Sequence, residues 1–390
     1  MARVCVIDIA GLSLRLLARN KGLWVNGLPS RPVAMAATFP ALTASVQASM
    51  TTGSQSGRHG VIGGGIFRRQ ACAVSFAERS NTLLNKKRFW HARRLPYRPT
   101  VAMVFWSNPL AGAADVVVGA SACAAAEGQV PDQPVGLYQE LARQIGPLDQ
   151  SLLHGPASSW RACEWIAAAA AHIWRTRRPD LAWAYMPGLD FELVRHGDDS
   201  QQARDALRAV DHLASRLAEA VASEGGKTVV LSDGGYVGVR RTAAPNVLLR
   251  RAGLLTLRQS PLGACIDLAN SKAFVMADHQ IAHVFCADDR AAGRAVEALS
   301  ADAAVAAIVP REELFCPGLG RDRAGERVAL AAPDAWFEYR WWYDDEPTPA
   351  AARRVDATCK CGYDPCELLA GERLRERSTP MRHACGAAGA

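Results

Sequence analysis

Residues 35–65 read MAATFPALTASVQASMTTGSQSGRHGVIGGG and carry the strongest indication of fold and chemistry in this chain. Thr43 lies where a loop turns into a short helix-like run, which ends at Gly53 and is followed by a glycine-rich segment containing His59. A helix N-terminus presents unpaired backbone N–H groups and the positive end of the helix dipole. Such an end stabilises an anion, and phosphate is the usual case. Thr43 is therefore predicted to be a nucleophile for phosphorus, although a threonine before a helix can also be only a cap.

Composition excludes several classes of protein. The chain has 390 residues, of which 49% are hydrophobic and 21% are charged, as in an ordinary globular protein. Its formal net charge of +7 comes from arginines in short scattered pairs, with no basic stripe interleaved with aromatic residues. This pattern predicts no nucleic-acid polymer as a partner, but it is compatible with an anionic small molecule.

The distribution of apolar residues and cysteines bears on location. The first apolar run, Val4–Ile9, contains Asp8 and is not followed by a small-residue cleavage site, so we expect a buried strand there and not a signal peptide. No run of 18 or more apolar residues occurs, so no membrane partner is expected. The eleven cysteines are dispersed and odd in number, which favours reduced thiols and a cytoplasmic protein.

Strand-like and helix-like segments alternate along most of the chain. Short apolar runs alternate with longer amphipathic stretches, and this alternation predicts an α/β fold with a central, mainly parallel sheet flanked by helices. The strand-like runs are Val4–Ile9, 100–106, 115–118, 181–185 and Lys227–Leu231, and the helix-like stretches are 157–175 and Gln201–Ser223.

The pattern changes after residue 253. Strand-like and helix-like segments within 254–325 predict a small α+β insertion. Residues 1–253 and 326–372 are then expected to form the α/β core, to which the aromatic cluster 336–342 contributes by packing. The tail 373–390 is polar and rich in glycine and alanine, so we expect it to be disordered.

Three acidic residues come at or directly after predicted strands. They are Asp8, Asp190 and Asp233. In open α/β sheets the ligand site lies at the carboxyl ends of the strands, so these side chains are expected to meet near Thr43. Each one alone could be a turn or cap residue, but three carboxylates in one place need cations to coexist. Aspartate and histidine ligands around a pair of zinc ions are one chemical solution for phosphoryl transfer.

These motifs resemble those of the alkaline phosphatase superfamily, and specifically its nucleotide pyrophosphatase/phosphodiesterase branch. In that branch a threonine nucleophile is followed by a helix, a Thr-Gly pair and a His-Gly segment, as it is here. The resemblance implies an alkaline phosphatase-like fold that hydrolyses phosphoric esters of the phosphodiester or nucleotide pyrophosphate type through a covalent Thr43 intermediate. It also implies a phosphorylated small molecule or nucleotide as the ligand. Two divalent metal ions, expected to be zinc, would be held by Asp8, Thr43, Asp190 and Asp233.

Four positions depart from the pattern of that branch. Three expected histidines and one phosphate-binding asparagine, which would lie 21 residues after the nucleophile, are replaced; the positions are Val194, Gly234, Thr358 and Gly64. One oxyanion donor is typically worth roughly 10²–10³ in rate, and zinc relies on nitrogen donors. The departures therefore leave a second hypothesis open: a catalytically impaired member that binds a phosphorylated ligand or a protein. A sulfatase is not indicated, because the Cys/Ser-x-Pro-x-Arg motif is absent around Thr43.

Other residues could replace the missing imidazoles. His279 and His283 are four residues apart and would project to one face of a strand or a helix, where they would serve as metal ligands or substrate contacts or only form a polar patch. His196 is another candidate, whereas His59 is expected to brace the nucleophile loop. A thiolate near Thr358 would also be a zinc donor, although the local cysteines match no standard zinc module; they are Cys359, Cys361 and Cys366.

Overall fold

The computed structural model describes residues 2–36, 38–76, 78–92, 95–119, 130–153, 157–261, 263–349 and 384–387. The strands are β1 (Val4–Ile9), β2 (Gly65–Arg68), β3 (Ala73–Phe76), β4 (Val101–Val104), β5 (Val116–Val118), β6 (Asp132–Gln133), β7 (Leu181–Met186), β8 (Lys227–Leu231), β9 (Tyr236–Val239), β10 (Arg241–Ala243), β11 (Leu257–Ser260), β12 (Gly263–Ile266), β13 (Ala273–Asp278), β14 (Ile281–Cys286), β15 (Val305–Pro310), β16 (Arg327–Ala331), β17 (Ala335–Phe337) and β18 (Ala384–Ala387). The helices are α1 (Leu14–Arg19), α2 (Thr43–Thr52), α3 (Ser56–His59), α4 (Leu137–Ile145), α5 (Ala162–Arg177), α6 (Gly188–His196), α7 (Gln201–Ser223), α8 (Pro245–Arg251), α9 (Asp289–Ser300), α10 (Arg311–Leu314) and α11 (Leu319–Arg323).

A six-stranded sheet in the order β6-β5-β4-β7-β1-β8 forms the centre of the molecule. Five of its strands run parallel, and β6 runs antiparallel to β5 at the edge. Strands β1, β4 and β5 are almost completely buried because their runs of Val, Ile, Ala and Met are covered on both faces. Helices α5 and α7 pack against this sheet with their apolar sides. The predicted α/β fold with a mainly parallel sheet is confirmed.

The helix that was predicted to follow the loop before Thr43 is present as α2. It begins at Thr43, with Leu42 in the extended N-cap position, and Val46 N donates to Leu42 O at 2.9 Å. It ends at Gly53, which has φ +62°, a left-handed conformation that glycine adopts without a steric cost. The backbone therefore places Thr43 in the first turn of a ten-residue helix.

A second, antiparallel sheet follows in the order β13-β14-β16-β15. Strand β16 lies between β14 and β15, so residues Arg327–Ala331 complete this sheet and do not belong to the parallel one. Tyr339, Trp341 and Trp342 pack into the same apolar cluster, which places them in the core as expected but in that of the second sheet. The boundary expected at residue 325 thus falls inside a continuous sheet, and the division into domains stays a prediction.

Some sequence-based expectations concern residues outside the described ranges. Thr358 and the cysteines 359, 361 and 366 are among them, as is most of the tail 373–390; within that tail only the backbone of β18 is described, and it pairs antiparallel with β9. Among the described helices, none is long and apolar enough to cross a membrane.

Candidate active site

Three carboxylates meet at the carboxyl edge of the parallel sheet. Asp8 is the second-to-last residue of β1, and Asp233 follows β8. Asp190 lies in the first turn of α6, directly after β7. Since β1 lies between β7 and β8, the three side chains converge, and they act on one another electrostatically. The sequence-based expectation that strand-end aspartates cluster near Thr43 is therefore matched by the geometry, while their role as metal ligands stays a prediction.

Asp8 is fully buried and is held by two donors. Gln47 Nε2 donates to Asp8 Oδ2 at 3.0 Å, and the backbone N–H of Asp233 donates to Asp8 Oδ1 at 3.0 Å. The other end of the Gln47 amide accepts a hydrogen bond from Ser107 N at 2.9 Å, just after β4. Gln47 thus connects the nucleophile helix to two strands of the sheet.

Thr43 lies beside the carboxylates with a side chain that is half buried. Its hydroxyl lies close enough to the Asp233 carboxylate and to the phenol of Tyr185, which projects from β7, to lower the pKa of both groups. The phenol of Tyr236 interacts with Asp190 and lowers the pKa of that carboxyl group. The phenols of Tyr185 and Tyr236 therefore lie next to the carboxylate cluster.

The pKa values of all three carboxyl groups are raised. Burial is the main cause for each one. Repulsion from Asp233 further raises the pKa of Asp8 well above its ordinary value, although the Gln47 hydrogen bond opposes this. The pKa of Asp233 is raised to about 6, against a lowering by the Thr43 hydrogen bond. The cluster therefore retains protons at a pH where exposed aspartates have lost them.

Gly64, which replaces the expected asparagine, faces a carboxylate of the second sheet. Gly64 N donates to Asp278 Oδ2 at 2.8 Å, and Asp278 Oδ1 is 2.7 Å from His279 Nδ1. His279 has φ +57°, a left-handed conformation that is uncommon for a residue with a side chain. The pKa of His279 is raised because its hydrogen bond to Asp278 and the charges of Asp278 and Asp190 outweigh the lowering by burial, which is the largest single effect.

The other two candidate histidines lie elsewhere. His283 is buried within β14, with Nε2 3.3 Å from the Ile62 carbonyl oxygen, and its ring stacks on Phe315 at 6.0 Å. His279 is in the turn before β14, so the two imidazoles do not lie side by side on one strand as expected. His196 ends α6 and is 3.5 Å from Glu192. His279 interacts electrostatically with Asp190 of the cluster.

The positions of two expected histidines differ in their surroundings. Val194 is buried in an apolar cluster with Phe191, Val239 and Trp336. Gly234 has open space on its side-chain side, with no atom within 4 Å of the position that a Cβ would occupy. An imidazole could therefore be accommodated at residue 234 but not at residue 194.

His59 braces the nucleophile segment, as expected. Its Nε2 is 2.9 Å from Ser49 Oγ on α2, and Val61 N donates to its Nδ1 at 3.1 Å. The buried Arg88 donates to Thr51 Oγ1 at 2.6 Å near the other end of α2. These contacts hold the second half of α2, the helix that carries Thr43 at its start.

Sequence reasoning missed several polar residues of the site. Gln47, Tyr185, Tyr236 and Asp278 were not predicted. Gln47 had a usable signal, since it is one helical turn after Thr43 and so lies on the same side of α2. The two tyrosines had none, because a tyrosine in or after a strand is ordinarily a packing residue.

An alkaline phosphatase-like α/β fold with a threonine at a helix start and three strand-end aspartates defines the class of protein. The chain belongs to the Type I phosphodiesterase / nucleotide pyrophosphatase family, whose match spans residues 17–364. This is a class of phosphoric-ester hydrolases. No curated protein matches the sequence as a whole.

Two solved structures illustrate the likeness in fold. Phosphonoacetate hydrolase from Sinorhizobium meliloti 1021, in complex with phosphonoformate, superposes with a TM-score of 0.59 and 14% identity, covering 86% of this chain and 82% of that chain. An inactive variant of murine ectonucleotide pyrophosphatase / phosphodiesterase 5, in complex with AMP, has a TM-score of 0.60 and 14% identity, covering 89% and 82%. At this level of identity the likeness concerns the fold.

Members of this family typically depend on two metal ions, so the fit of the site to such ions can be tested. Among the described residues, no group of three or more His, Cys, Asp or Glu side chains is arranged to hold a metal ion. Both oxygens of Asp8 already accept hydrogen bonds, and Val194 and Gly234 supply no donor. Asp190 Oδ1 and Asp233 Oδ2 are buried without a hydrogen-bond partner in the described part of the chain. Two uncommitted oxygens without imidazoles do not fit a pair of zinc ions.

Proposed function

We propose that this protein hydrolyses a phosphoric ester of a phosphorylated small molecule or nucleotide, with Thr43 as the nucleophile. The observation that carries the proposal is the position of Thr43 in the first turn of α2, in contact with Asp233 and Tyr185 at the sheet edge where the carboxylates meet. The match to the phosphodiesterase family supports the reaction class.

The phosphoryl group would bind at the N-terminus of α2. The backbone N–H groups of the first turn have no partner within the helix and point toward the loop side. They and the helix dipole favour the negative charge of a phosphoryl group. Gly64 N is not a donor for this group, since it donates to Asp278. We propose that the Asp278–His279 pair supplies a charged contact at this side of the pocket.

Buried carboxylates would repel a phosphate, and their raised pKa values reduce that repulsion. Burial and the charge of Asp233 raise the pKa of Asp8 well above the ordinary value, which favours its neutral form. Asp233, whose pKa is about 6, is largely ionised near pH 7 and can accept a proton. The cluster thus contains Asp233 as a group that can serve as the base.

The proposed reaction has two steps. Tyr185 O–H donates to Thr43 Oγ1, and the Thr43 hydroxyl proton passes to the Asp233 carboxylate as Oγ1 forms a bond to phosphorus. The ester P–O bond breaks, and the leaving oxygen takes a proton from solvent. Water then attacks the phosphothreonine at phosphorus and loses a proton to solvent, the bond between phosphorus and Thr43 Oγ1 breaks, and Asp233 returns its proton to Oγ1. No step is assigned to a metal ion, because the described residues do not fit the pair of zinc ions that the sequence led us to expect.

The experiment compares wild type with Thr43→Ala, Thr43→Ser and Thr52→Ala on p-nitrophenyl mono- and diesters, with zinc, manganese or magnesium and with a chelator. Thr52→Ala removes a hydroxyl from the far end of the same helix and is the matched control. We expect Thr43→Ala to lose at least about 10³-fold in kcat, Thr43→Ser to retain part of it, and the control to be unchanged. Turnover that survives in Thr43→Ala would contradict the proposal.

A second candidate function is favoured by one observation, the loss of imidazole donors at Val194 and Gly234. We propose as the alternative that the chain binds a phosphorylated ligand at this site without hydrolysing it. Calorimetry with AMP as the probe separates the two. Binding that is weakened in Thr43→Ala, together with no turnover under any of the metal conditions, would favour the alternative. Turnover by wild type would exclude it.

A further inference from the structure

A cleft of about 650 Å³ is lined by side chains from residues 81–92 and 95–98, apart from the carboxylate cluster. Its lining includes three cationic side chains, Lys86, Lys87 and Arg98, together with His91, Asn85 and Tyr97. We call it the basic cleft. Its volume is in the range of sites that bind small molecules.

The positive charge of the basic cleft is only partly balanced. Arg98 pairs with Asp115 at 3.1 Å, and this pair is largely exposed. Neither Lys86 nor Lys87 forms an ion pair with any residue in the part of the chain that the structure describes. The pKa of His91 reflects the same positive charge. Burial and then the charges of Arg98 and Arg88 lower this pKa, whereas Asp115 raises it. An anion in the basic cleft would therefore meet uncompensated positive charge.

The basic cleft is distinct from the proposed catalytic site. Arg98 precedes β4, whereas Ser107, which contacts Gln47, follows it, so the two lie at opposite ends of a strand that spans roughly 13 Å. The buried Arg88 contacts Thr51, about 12 Å along α2 from Thr43. A ligand in the basic cleft would not reach Thr43 Oγ1 directly.

The floor of the basic cleft is held rigidly. Trp90 is buried, and its Nε1 donates to the Ala113 carbonyl at 2.8 Å. Arg88 Nε donates to Asn81 Oδ1 at 2.9 Å, and its Nη2 donates to the carbonyls of Ser107 and Asn108 at 3.0 and 2.8 Å. Because these bonds order the segment before a ligand arrives, less conformational entropy is lost on binding.

We propose that the basic cleft binds a small polyanion of the diphosphate class. Two ammonium groups from adjacent residues and one guanidinium line the cleft and would attract a diphosphate, and the Asn85 amide would add neutral hydrogen bonds. The lysine side chains are exposed, whereas Trp90 and Arg88 beneath them are buried and hydrogen-bonded. The site is separate from the proposed function and does not depend on it.

The test uses inorganic pyrophosphate as the probe, with the full-length chain. Lys86→Gln/Lys87→Gln removes two charges from the basic cleft, and Lys21→Gln/Lys272→Gln removes two charges from exposed positions elsewhere. Isothermal calorimetry measures affinity, and hydrogen-exchange mass spectrometry locates the protected segment. We expect pyrophosphate to slow exchange within 81–98 in wild type and in the control pair. In the cleft variant, the Kd for pyrophosphate is expected to rise at least about tenfold, and the protection within 81–98 is expected to be lost.

Several outcomes would overturn the proposal. Protection that appears only at residues 42–47 would place the anion at the α2 N-terminus and not in the basic cleft. Equal losses of affinity in the cleft variant and the control pair would show attraction by net charge alone. In contrast, one outcome would support the proposal of a second site that is independent of Thr43. In it, the cleft variant loses protection within 81–98 but keeps the wild-type turnover of p-nitrophenyl esters.

Discussion

Gln47 Nε2 donates a hydrogen bond to Asp8 Oδ2 at 3.0 Å and so joins the nucleophile helix to the first strand of the sheet. The same side chain accepts a hydrogen bond from Ser107 N at 2.9 Å. Both atoms of one buried amide are therefore used, and each partner is buried as well. This relationship fixes the distance between Thr43 and the carboxylates, because α2 cannot shift without breaking both bonds.

Replacing Gln47 by methionine is expected to destabilise the protein. The substitution keeps the volume but leaves Asp8 Oδ2 and Ser107 N without partners, so the free energy of unfolding should fall by about 2–4 kcal/mol. Urea denaturation measures the change. Gln139→Met, at an exposed position of α4, is the control and should lie within about 0.5 kcal/mol of wild type. Equal stability of the two variants would show that the Gln47 bonds contribute nothing.

Replacing Tyr185 by phenylalanine is expected to slow turnover at Thr43. The phenol interacts with Thr43, and in the proposed reaction it donates a hydrogen bond to the nucleophile, so its loss should lower kcat roughly tenfold and leave KM unchanged. Steady-state kinetics on the diester checks this. Tyr138→Phe, which removes a phenol that accepts a hydrogen bond from Leu148 N at 3.3 Å away from the site, should keep the wild-type kcat. A change confined to KM would mean that Tyr185 contacts substrate and does not position Thr43.

Histidine substitutions at residues 194 and 234 are expected to differ sharply. Gly234→His enters open space and should change the free energy of unfolding by less than about 1 kcal/mol. Val194→His places an imidazole among Phe191, Val239 and Trp336 and should cost about 2–3 kcal/mol.

Zinc affinity provides the second readout for this pair. An imidazole beside Asp233 adds a nitrogen donor, so Gly234→His should bind zinc at least tenfold more tightly than wild type in calorimetric titration. If wild type already binds zinc in a stoichiometric ratio and the variant does not differ, the assignment of an incomplete metal site is wrong.

His59 is expected to make stability depend on pH. Burial, followed by the positive charges of Arg88 and Arg323, lowers its pKa from 6.5 to about 4. Between these values the unfolded chain binds a proton that the folded chain does not, so the contribution of His59 to stability falls as the pH falls from 6.5. At pH 5 the loss is about 2 kcal/mol, which is 1.5 pH units at 1.36 kcal/mol each.

The measurement compares wild type with His59→Gln at pH 7 and pH 5. The buried carboxylates have raised pKa values and act in the opposite direction, but they are common to both proteins and cancel in the difference. Ser49→Ala, which removes the hydroxyl partner and keeps the histidine, is the control and should retain the wild-type slope. Parallel pH curves for wild type and His59→Gln would show that the folded state protonates His59 normally.

The parts of the site that were predicted depend on local pattern and on strand order. Apolar runs followed by Asp8 and Asp233 indicated buried parallel strands, and parallel strands bring their carboxyl ends to one edge. The start of α2 at Thr43 and its end at Gly53 followed from residue types alone. These features need no knowledge of distant contacts.

The parts that were not predicted depend on pairing between distant segments. The position of β16 between β14 and β15 is set by ladder hydrogen bonds, which the order of residues does not reveal. His279 and His283 were expected on one face, but the turn before β14 holds His279 in a left-handed conformation and turns it toward Asp278. Strand periodicity does not apply across such a turn.

The sequence alone determined the family, the parallel sheet and the place of Thr43, because periodicity, glycine positions and strand-end aspartates act within a few residues of one another. Only the tertiary structure decided that Val194 is sealed in an apolar cluster, that Gly234 faces open space and that Gly64 N is bound by Asp278. The space around a position that has lost its histidine is open or filled depending on the side chains that other strands and helices place there. The stretch 35–65 therefore identifies the ancestry of the site, and its partners from distant segments define the chemistry it can perform.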